Sequence, residues 1–265
     1  MKLTEAQLEE YRTRGYLYFP GLITAAEVAV LRGAVPGLLT RTGPEIKRDG
    51  PEAPPRLVYG PHDYSPPFQA LSRLPRMLGA VRQLLADEAY VYQSRINLKL
   101  PFAGDAWSWH QDFSAWHRRD GMARPHAVMA AVFLDDCTVA NGPLLVIPES
   151  QTDDVDLVLR REHDVQGYKV ERVSGELIAD LAGRHGIADL LGPAGSVAFI
   201  HPTLMHGSAP NMTPWSRSIY YLNYNAVSNG TKPSERPWFM NNPDSSALVP
   251  VDDGAILAQA PAAAA

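Results

Sequence analysis

The chain has 265 residues, of which 45% are hydrophobic and 20% are charged, and its formal net charge is -5 at pH 7. This composition is typical of a globular protein, and the acidic balance lacks the basic footprint of most proteins that bind nucleic acid. The apolar run over residues 127–134 is too short to span a bilayer, and a single cysteine, Cys137, excludes an internal disulfide. The N-terminus has no apolar signal core. We therefore expect a soluble cytoplasmic protein, a monomer or homodimer, that binds neither nucleic acid nor a membrane.

Two capping-box patterns predict helices near the N-terminus. Residues 4–7 read T-E-A-Q and residues 24–27 read T-A-A-E, each with a threonine at the helix start and a Gln or Glu three positions later. The first helix should end at Gly15, and the aromatic residues 16–19 should form a short strand. The second helix should run toward Gly37.

A proline-rich stretch follows these helices. Residues 41–67 contain seven prolines among glycines and charged residues, which excludes a long helix. The apolar residues 57–59 (L-V-Y) could hold the stretch against a core. We therefore expect an ordered surface loop that acts as a lid, with a disordered linker as the alternative. A third helix is predicted from Pro75 to Leu85, since proline suits the first position of a helix.

Strands dominate after residue 88. In residues 90–100 polar and apolar side chains alternate, so that Ile96 and Leu98 fall on one face and Arg95 and Asn97 on the other. Apolar runs bounded by Gly and Pro predict the later strands, at residues 126–134, 144–148, 195–200 and 217–224.

The remaining segments complete the predicted fold. Residues 150–190 are predicted as an insertion packed on the core, with one short helix near 174–184, and residues 255–265 as a frayed tail. Helices followed by about eight short strands indicate an α+β, mainly β fold. We expect an antiparallel barrel or double-sheet jelly roll braced by N-terminal helices, in a single domain over residues 1–265.

The aromatic stretch over residues 107–117 (W-S-W-H-Q-D-F-S-A-W-H) contains the first chemical signal. Its composition favours a strand, and side chains two residues apart in a strand lie on the same face. His110 and Asp112 would then project together. An imidazole and a carboxylate are two members of the 2-His-1-carboxylate triad of non-haem Fe(II) enzymes. His206, in the segment H-P-T-L-M-H-G-S, is the best candidate for the third ligand.

Together these residues resemble the Fe(II)/2-oxoglutarate-dependent oxygenases, and among them the phytanoyl-CoA dioxygenase family. The resemblance is carried by H-Q-D at residues 110–112, N-G-P-L…I-P-E-S at 141–150, H-G-S-A-P-N at 206–211 and the later Arg217. The pattern Y-Q-S-R-I-N…W-H-Q-D-F…W-H…D-G-M over residues 92–122 is similar to that of ectoine hydroxylases and of bacterial hydroxylases of free amino acids.

The resemblance implies a double-stranded β-helix (jelly-roll) core that holds Fe(II) through the two histidines and the aspartate. It implies 2-oxoglutarate and O2 as co-substrates. Arg217 would hold the distal carboxylate of 2-oxoglutarate, because a guanidinium matches a carboxylate with two parallel hydrogen bonds. Ser208 would add a hydroxyl group and Asn97 a side-chain amide.

The same resemblance places Gln93 and Trp116 near a small-molecule substrate, and His117 is a further candidate for a substrate contact. It implies hydroxylation of an unactivated C–H bond in a free amino acid or ectoine-like compound, with release of succinate and CO2. Related halogenases have a small residue in place of the carboxylate ligand. The presence of Asp112 therefore favours hydroxylation.

Two other functions remain open from the sequence. The family also contains oxygenases that tailor natural products by hydroxylation, desaturation or cyclisation, and nothing in residues 40–70 or 150–190 excludes such a substrate. The third possibility is a non-catalytic jelly-roll protein that binds another metal, because affinity alone does not select Fe(II). A carboxylate-binding residue such as Arg217 has no purpose in a bare metal site, which argues against this reading.

Overall fold

The structure, a computed structural model, describes residues 1–50, 52–152, 162–165, 168–171 and 173–260. The helices are α1 (Glu5–Arg14), α2 (Ala25–Leu39), α3 (Pro61–Tyr64), α4 (Pro66–Arg73), α5 (Pro75–Leu85), α6 (Asp112–Asp120) and α7 (Gly175–His185). The strands are β1 (Tyr16–Phe19), β2 (Ile46–Arg48), β3 (Pro55–Tyr59), β4 (Ala89–Lys99), β5 (Trp107–His110), β6 (Ala127–Phe133), β7 (Leu144–Val146), β8 (Glu162–Val165), β9 (Tyr168–Glu171), β10 (Ala188–Leu190), β11 (Val197–Ile200), β12 (His206–Ser208) and β13 (Arg217–Ala226).

Two antiparallel sheets form the β core. The larger sheet has seven strands in the order β1-β11-β6-β13-β4-β3-β2, and the smaller has four in the order β10-β7-β12-β5. Met129 and Ile219 of the larger sheet pack with Leu144 and Val146 of the smaller one, so the two sheets share an apolar interior. This double-sheet arrangement, with partners drawn from distant parts of the chain, is the expected jelly roll.

The N-terminal helices cover the other face of the larger sheet. Leu31 of α2, Leu71 of α4 and Leu78 of α5 are fully buried in one cluster with Ile96 of β4 and Tyr220 of β13. Burying a leucine side chain contributes about 1.5–3 kcal/mol, so this layer is a main source of stability. The predicted bracing by N-terminal helices is confirmed.

Among the described residues, no helix combines the length and the apolar character needed to cross a membrane.

Local sequence signals determine where the first helices begin and end. Both predicted capping boxes are present, at Thr4 with Gln7 and at Thr24 with Glu27. Gly15 ends α1 with a φ of 79°, a left-handed conformation that glycine adopts without strain. The second helix continues beyond the predicted end to Leu39.

The structure corrects two predicted loops. Residues 41–67 are not one surface loop, because 46–48 and 55–59 form β2 and β3. These strands extend the larger sheet, since β3 pairs with β4 and β2 pairs with β3. The predicted tail at 255–265 begins with a packed residue, since Ile256 is fully buried in the main core. Residues 261–265 lie outside the described residues.

The predicted insertion at 150–190 is described in part. Its helix is present at Gly175–His185, within one residue of the predicted bounds at each end. Strands β8 and β9 pair as a separate antiparallel hairpin. Residues 153–161, 166–167 and 172, which belong to the same prediction, lie outside the described residues.

Candidate active site

Three side chains of metal-binding type meet between the smaller sheet and α6. His110 is the last residue of β5 and His206 is the first residue of β12, and the two lie opposite each other in antiparallel register. Asp112 is the first residue of α6. One potential ligand atom of each residue lies within 4.8 Å of the others. Nε2 of His110 is 3.7 Å from Oδ1 of Asp112. The spacing is that of three ligands around one ion.

The prediction that Asp112 shares a strand with His110 is wrong. β5 ends at His110, Gln111 is extended with φ -117° and ψ 133°, and the helix begins at Asp112. A carboxylate is favourable in the first turn of a helix because it interacts with the positive end of the helix dipole. The N–H of Phe113 donates to the carbonyl of Pro202 (3.0 Å), which fixes the helix start beside the loop before β12. The side chains of His110 and Asp112 therefore converge because the chain turns from a strand into a helix between them.

Backbone carbonyls orient both imidazoles. Nδ1 of His110 lies 2.7 Å from the carbonyl oxygen of Ser108, and Nδ1 of His206 lies 2.9 Å from that of Leu204. A carbonyl can only accept, so each Nδ1 carries the proton and donates it. Each Nε2 then keeps its lone pair, the arrangement that a metal-binding histidine usually has.

Burial and charge set the protonation of the cluster. Burial lowers the pKa of His110 to about 4, with a further contribution from His206. Burial alone would raise the pKa of Asp112, but Arg95 and the two histidines lower it below 3.8. Nη2 of Arg95 lies 3.7 Å from Oδ2 of Asp112. At neutral pH His110 is therefore neutral and Asp112 ionised, which are the forms that bind a divalent metal.

A cavity of about 350 Å³ opens beside the cluster. Besides the three residues of the cluster, which line it themselves, four other predicted residues do so: Gln93, Asn97, Trp116 and Ser208. His117 is not among the described residues that line this cavity. Its side chain is on the exposed side of α6, and its Nδ1 donates to the carbonyl of Met122 (2.8 Å).

Helical spacing determines which residues of α6 face the cavity. Asp112, Ala115, Trp116 and Arg119 all line it, at positions i, i+3, i+4 and i+7. Trp116 is buried and packs against Tyr92, with ring centroids 5.1 Å apart. A helical interpretation of this stretch would have identified Arg119, which the strand interpretation missed.

Arg217 lies at the start of β13, fully buried, and is not among the described residues that line the cavity. Its Nε donates to the carbonyl of Gly142 (2.8 Å), and Nη2 donates to the same oxygen. Nη1 is buried without a hydrogen-bond partner among the described residues. A buried guanidinium with an unused donor is poised for an acceptor that is not part of the protein.

Three segments of the chain approach one another closely beside Arg217, at Gly142, Ala209 and Lys99. Gly142 has a φ of 78°, and a Cβ there would lie 2.5 Å from the carbonyl oxygen of Ala209 and 3.1 Å from Nζ of Lys99. Burial, together with the neighbouring charges of Arg217 and Arg56, lowers the pKa of Lys99 to about 6. The arrangement brings the basic side chains of Arg217 and Lys99 together, and it depends on glycine at position 142.

Four buried polar atoms around the site share one property, the absence of a hydrogen-bond partner within the described residues. They are Asn97 Oδ1, Asp112 Oδ2, Ser208 Oγ and Arg217 Nη1. Buried polar atoms are nearly always satisfied in native proteins, so such a group indicates a missing ligand. A carboxylate oxygen suits a metal ion, and a guanidinium with a hydroxyl suits a carboxylate. These residues therefore fit Fe(II) together with 2-oxoglutarate.

Several cavity residues escaped the sequence analysis. The strand pattern placed Arg95 on the same face as Asn97 but gave it no role in the site. Arg95 lines the cavity, and its Nη1 donates to Oε1 of Gln93 (3.0 Å). Tyr221 also lines the cavity, and strand alternation from Arg217 could have found it. Arg236 and Met240 come from a segment without periodicity, so no local signal identifies them.

Comparison with known proteins gives close relatives along nearly the whole chain. An L-proline trans-4-hydroxylase of Streptomyces griseoviridis is 38% identical over 251 residues, which cover 91% of this chain and 94% of that protein. An ectoine dioxygenase of Sphingopyxis alaskensis is 34% identical over 275 residues, which cover 98% of this chain and 90% of that protein.

Solved structures agree with these relatives. The crystal structure of EctD from S. alaskensis with 2-oxoglutarate and 5-hydroxyectoine is similar with a TM-score of 0.84 and 33% identity, over 94% of this chain and 88% of that one. The carbocyclase SnoK from nogalamycin biosynthesis, with a TM-score of 0.67 and 22% identity over 94% of this chain and 93% of that one, shares the fold. The family model of phytanoyl-CoA dioxygenase matches residues 11–219. This chain belongs to the phytanoyl-CoA dioxygenase family.

Proposed function

We propose that the protein is an Fe(II)- and 2-oxoglutarate-dependent hydroxylase of a small cyclic amino acid, with L-proline as the first candidate and ectoine-like compounds as the second. The observation that carries this proposal is the cluster of His110, Asp112 and His206 beside a cavity, together with the unpaired donor of Arg217. The similarity to an L-proline hydroxylase and to ectoine dioxygenases supports the substrate class.

In this proposal His110, Asp112 and His206 hold Fe(II). The carbonyls of Ser108 and Leu204 keep the imidazoles in the correct tautomer, so that no reorganisation is needed when the ion binds. When bound, Fe(II) with 2-oxoglutarate and O2 supplies the oxidation that converts a substrate C–H bond to C–OH, with release of succinate and CO2.

Arg217 would hold the distal carboxylate of 2-oxoglutarate through its unpaired Nη1. Ser208, whose buried hydroxyl also has no partner in the part of the chain that the structure describes, would donate a further hydrogen bond, and Asn97 would contact the same co-substrate from β4. Charge-assisted hydrogen bonds of this kind are about twice as strong as neutral ones. Binding of 2-oxoglutarate would thus give hydrogen-bond partners to buried polar groups of Arg217 and Ser208, which are otherwise unfavourable to bury.

The substrate would occupy the cavity between β4 and α6. Trp116 offers an apolar ring, and Gln93 is held rigidly because its amide donates to the carbonyl of Met240 (2.9 Å) and accepts from Arg95. A rigid wall orients one C–H bond and excludes others, which is the contribution that a protein makes to cofactor chemistry. We assign no substrate contact to His117.

The test is succinate release in the presence of Fe(II), 2-oxoglutarate and O2, measured across L-proline, the other proteinogenic amino acids and ectoine. We expect one cyclic compound to stimulate release and to yield a product one oxygen heavier. If 2-oxoglutarate binds but no compound stimulates release, the proposed substrate class is wrong. A product two hydrogens lighter would indicate a tailoring reaction, and failure to bind 2-oxoglutarate would restore the non-catalytic alternative.

The remaining expectations concern the whole protein. We propose that residues 1–265 act as one catalytic domain, that the protein works in the cytoplasm as a monomer or homodimer, and that it binds no nucleic acid. The formal net charge of -5 supports the last point. Light scattering of the purified protein tests the oligomeric state.

A further inference from the structure

Residues 231–242 form part of the cavity wall without belonging to a helix or a strand. We call this segment the C-terminal strap. Its residues Arg236 and Met240 line the same cavity as the metal-binding cluster. Because the strap has no ladder of backbone hydrogen bonds, its position depends on individual contacts with the rest of the chain.

Asp120, the last residue of α6, forms hydrogen bonds with three residues of the first half of the strap. Its side chain is fully buried, and Oδ2 accepts a hydrogen bond from Nη1 of Arg236 (2.6 Å). Oδ1 accepts from the hydroxyl of Ser234 (3.1 Å), and the backbone carbonyl accepts from the N–H of Lys232 (2.8 Å). The hydroxyl of Tyr92 also donates to Oδ2. One carboxylate thus joins the strap to α6 and β4.

The second half of the strap has its own contacts with the rest of the chain. Asn241 also joins it to the first half, because its Oδ1 accepts from the hydroxyl of Thr231 (2.8 Å) and its Nδ2 donates to Oγ of Ser234 (3.2 Å). Phe239 is 2% exposed within an apolar cluster, and the carbonyl of Met240 accepts from Nε2 of Gln93 (2.9 Å). The N–H of Asn242 donates to the carbonyl of Tyr92 (3.0 Å). None of these contacts involves Asp120. Loss of the Asp120 carboxylate should therefore release the first half of the strap and leave the second half in place.

We propose that Asp120 is a positioning residue: it fixes residues 232–236 of the strap, and so holds the Arg236 part of the cavity wall in the geometry that binds substrate. Asp120 is not among the described residues that line the cavity, so it acts through Arg236. A buried carboxylate is stable only when it is paired, and here the guanidinium and two hydroxyls fulfil that need. The part of this inference that concerns substrate rests on the proposed function.

Hydrogen exchange of the full-length protein, read by mass spectrometry, tests the positioning role without any substrate. In Asp120→Asn we expect peptides covering residues 231–236 to exchange at least about tenfold faster, while peptides at 239–242 keep the wild-type rate. Asp189→Asn, an exposed change on β10, is the matched control and should alter neither region. Wild-type protection of residues 231–236 in Asp120→Asn would overturn the proposal.

Kinetics then test the consequence for binding. Asp120→Asn should raise KM for the amino acid substrate about tenfold and change KM for 2-oxoglutarate by less than about twofold, since 1.4 kcal/mol corresponds to a factor of ten. An equal rise in both KM values would contradict a role confined to the strap.

If Asp120→Asn does not fold, Arg236→Met and Ser234→Ala remove the same hydrogen bonds from the more exposed side. These variants should show the same faster exchange of residues 231–236. Unchanged exchange in them would overturn the proposal. If the wild type hydroxylates no amino acid, the proposed function fails and the exchange result still decides the role of Asp120.

Discussion

His110 and His206 face each other across β5 and β12, and each donates its Nδ1–H to the carbonyl of the residue two positions earlier in the chain. Their rings are 4.2 Å apart between centroids. Both Nε2 atoms are therefore presented to Asp112 by the same local geometry, repeated on two neighbouring strands. A metal site built on rigid strands needs little rearrangement to bind its ion.

Asp112→Ala should abolish hydroxylation and weaken metal binding. Removal of the only carboxylate of the cluster should lower metal affinity by more than the about 10- to 100-fold that loss of an outer partner typically costs. Isothermal titration with Mn(II) under anaerobic conditions measures the affinity, and Asp189→Ala serves as the exposed control. Wild-type turnover by Asp112→Ala would show that the assigned ligand set is wrong.

Arg217→Lys should raise KM for 2-oxoglutarate far more than KM for the amino acid. A lysine retains the charge but cannot offer paired donors, and hydrogen bonds to charged groups contribute about 1.5–3 kcal/mol, which corresponds to about 10- to 100-fold. Arg12→Lys, in an exposed ion pair on α1, is the control. An unchanged requirement for 2-oxoglutarate would mean that another group holds its distal carboxylate.

Gly142→Ala should destabilise the protein by about 1–3 kcal/mol and weaken 2-oxoglutarate binding. The left-handed backbone is unfavourable for alanine, and the new Cβ would meet the carbonyl oxygen of Ala209 at 2.5 Å beside Arg217. Gly183→Ala in α7 is the matched control, because a Cβ there has nothing within 4 Å, and it should stabilise the helix by up to about 1 kcal/mol. Urea unfolding measures both, and equal stability of the two variants would contradict the packing described around Gly142.

The stability of the metal-free protein should fall as pH drops below 6.5. Burial, with a smaller contribution from Arg73, lowers the pKa of His62 from 6.5 to about 4. Between these values the unfolded chain binds a proton that the folded chain does not, so stability is complete above pH 6.5 and is lost toward pH 4. Between pH 7 and pH 5 this residue alone accounts for about 2 kcal/mol. His62→Gln should show a correspondingly flatter profile of unfolding free energy against pH, and an identical profile would exclude this origin.

Short-range patterns predicted much of the fold and the site. The alternation of β4 correctly separated Arg95 and Asn97, which line the cavity, from Ile96, which lies in the core, because strand periodicity depends only on neighbouring residues. The capping boxes of α1 and α2 were correct for the same reason.

Other features depend on contacts that the local sequence does not encode. The aromatic composition around Asp112 suits a strand, yet tertiary packing and the helix dipole favour a helix from that residue onward. β2 and β3 form at a sheet edge, where β3 pairs with β4 and β2 pairs with β3, despite the prolines around them. Arg236 and Met240 line the cavity from a segment that forms hydrogen bonds to Asp120 and Gln93, more than a hundred residues earlier in the chain.

The most direct test of the account is the stoichiometry of the wild-type reaction with L-proline under Fe(II), 2-oxoglutarate and O2. Succinate and product are quantified in the same reaction by mass spectrometry, with Asp112→Ala as the inactive control. The account predicts one product molecule, heavier by one oxygen, for each succinate formed above the background without L-proline. Succinate release that L-proline and every other cyclic amino acid leave unchanged, with no heavier product, would contradict it.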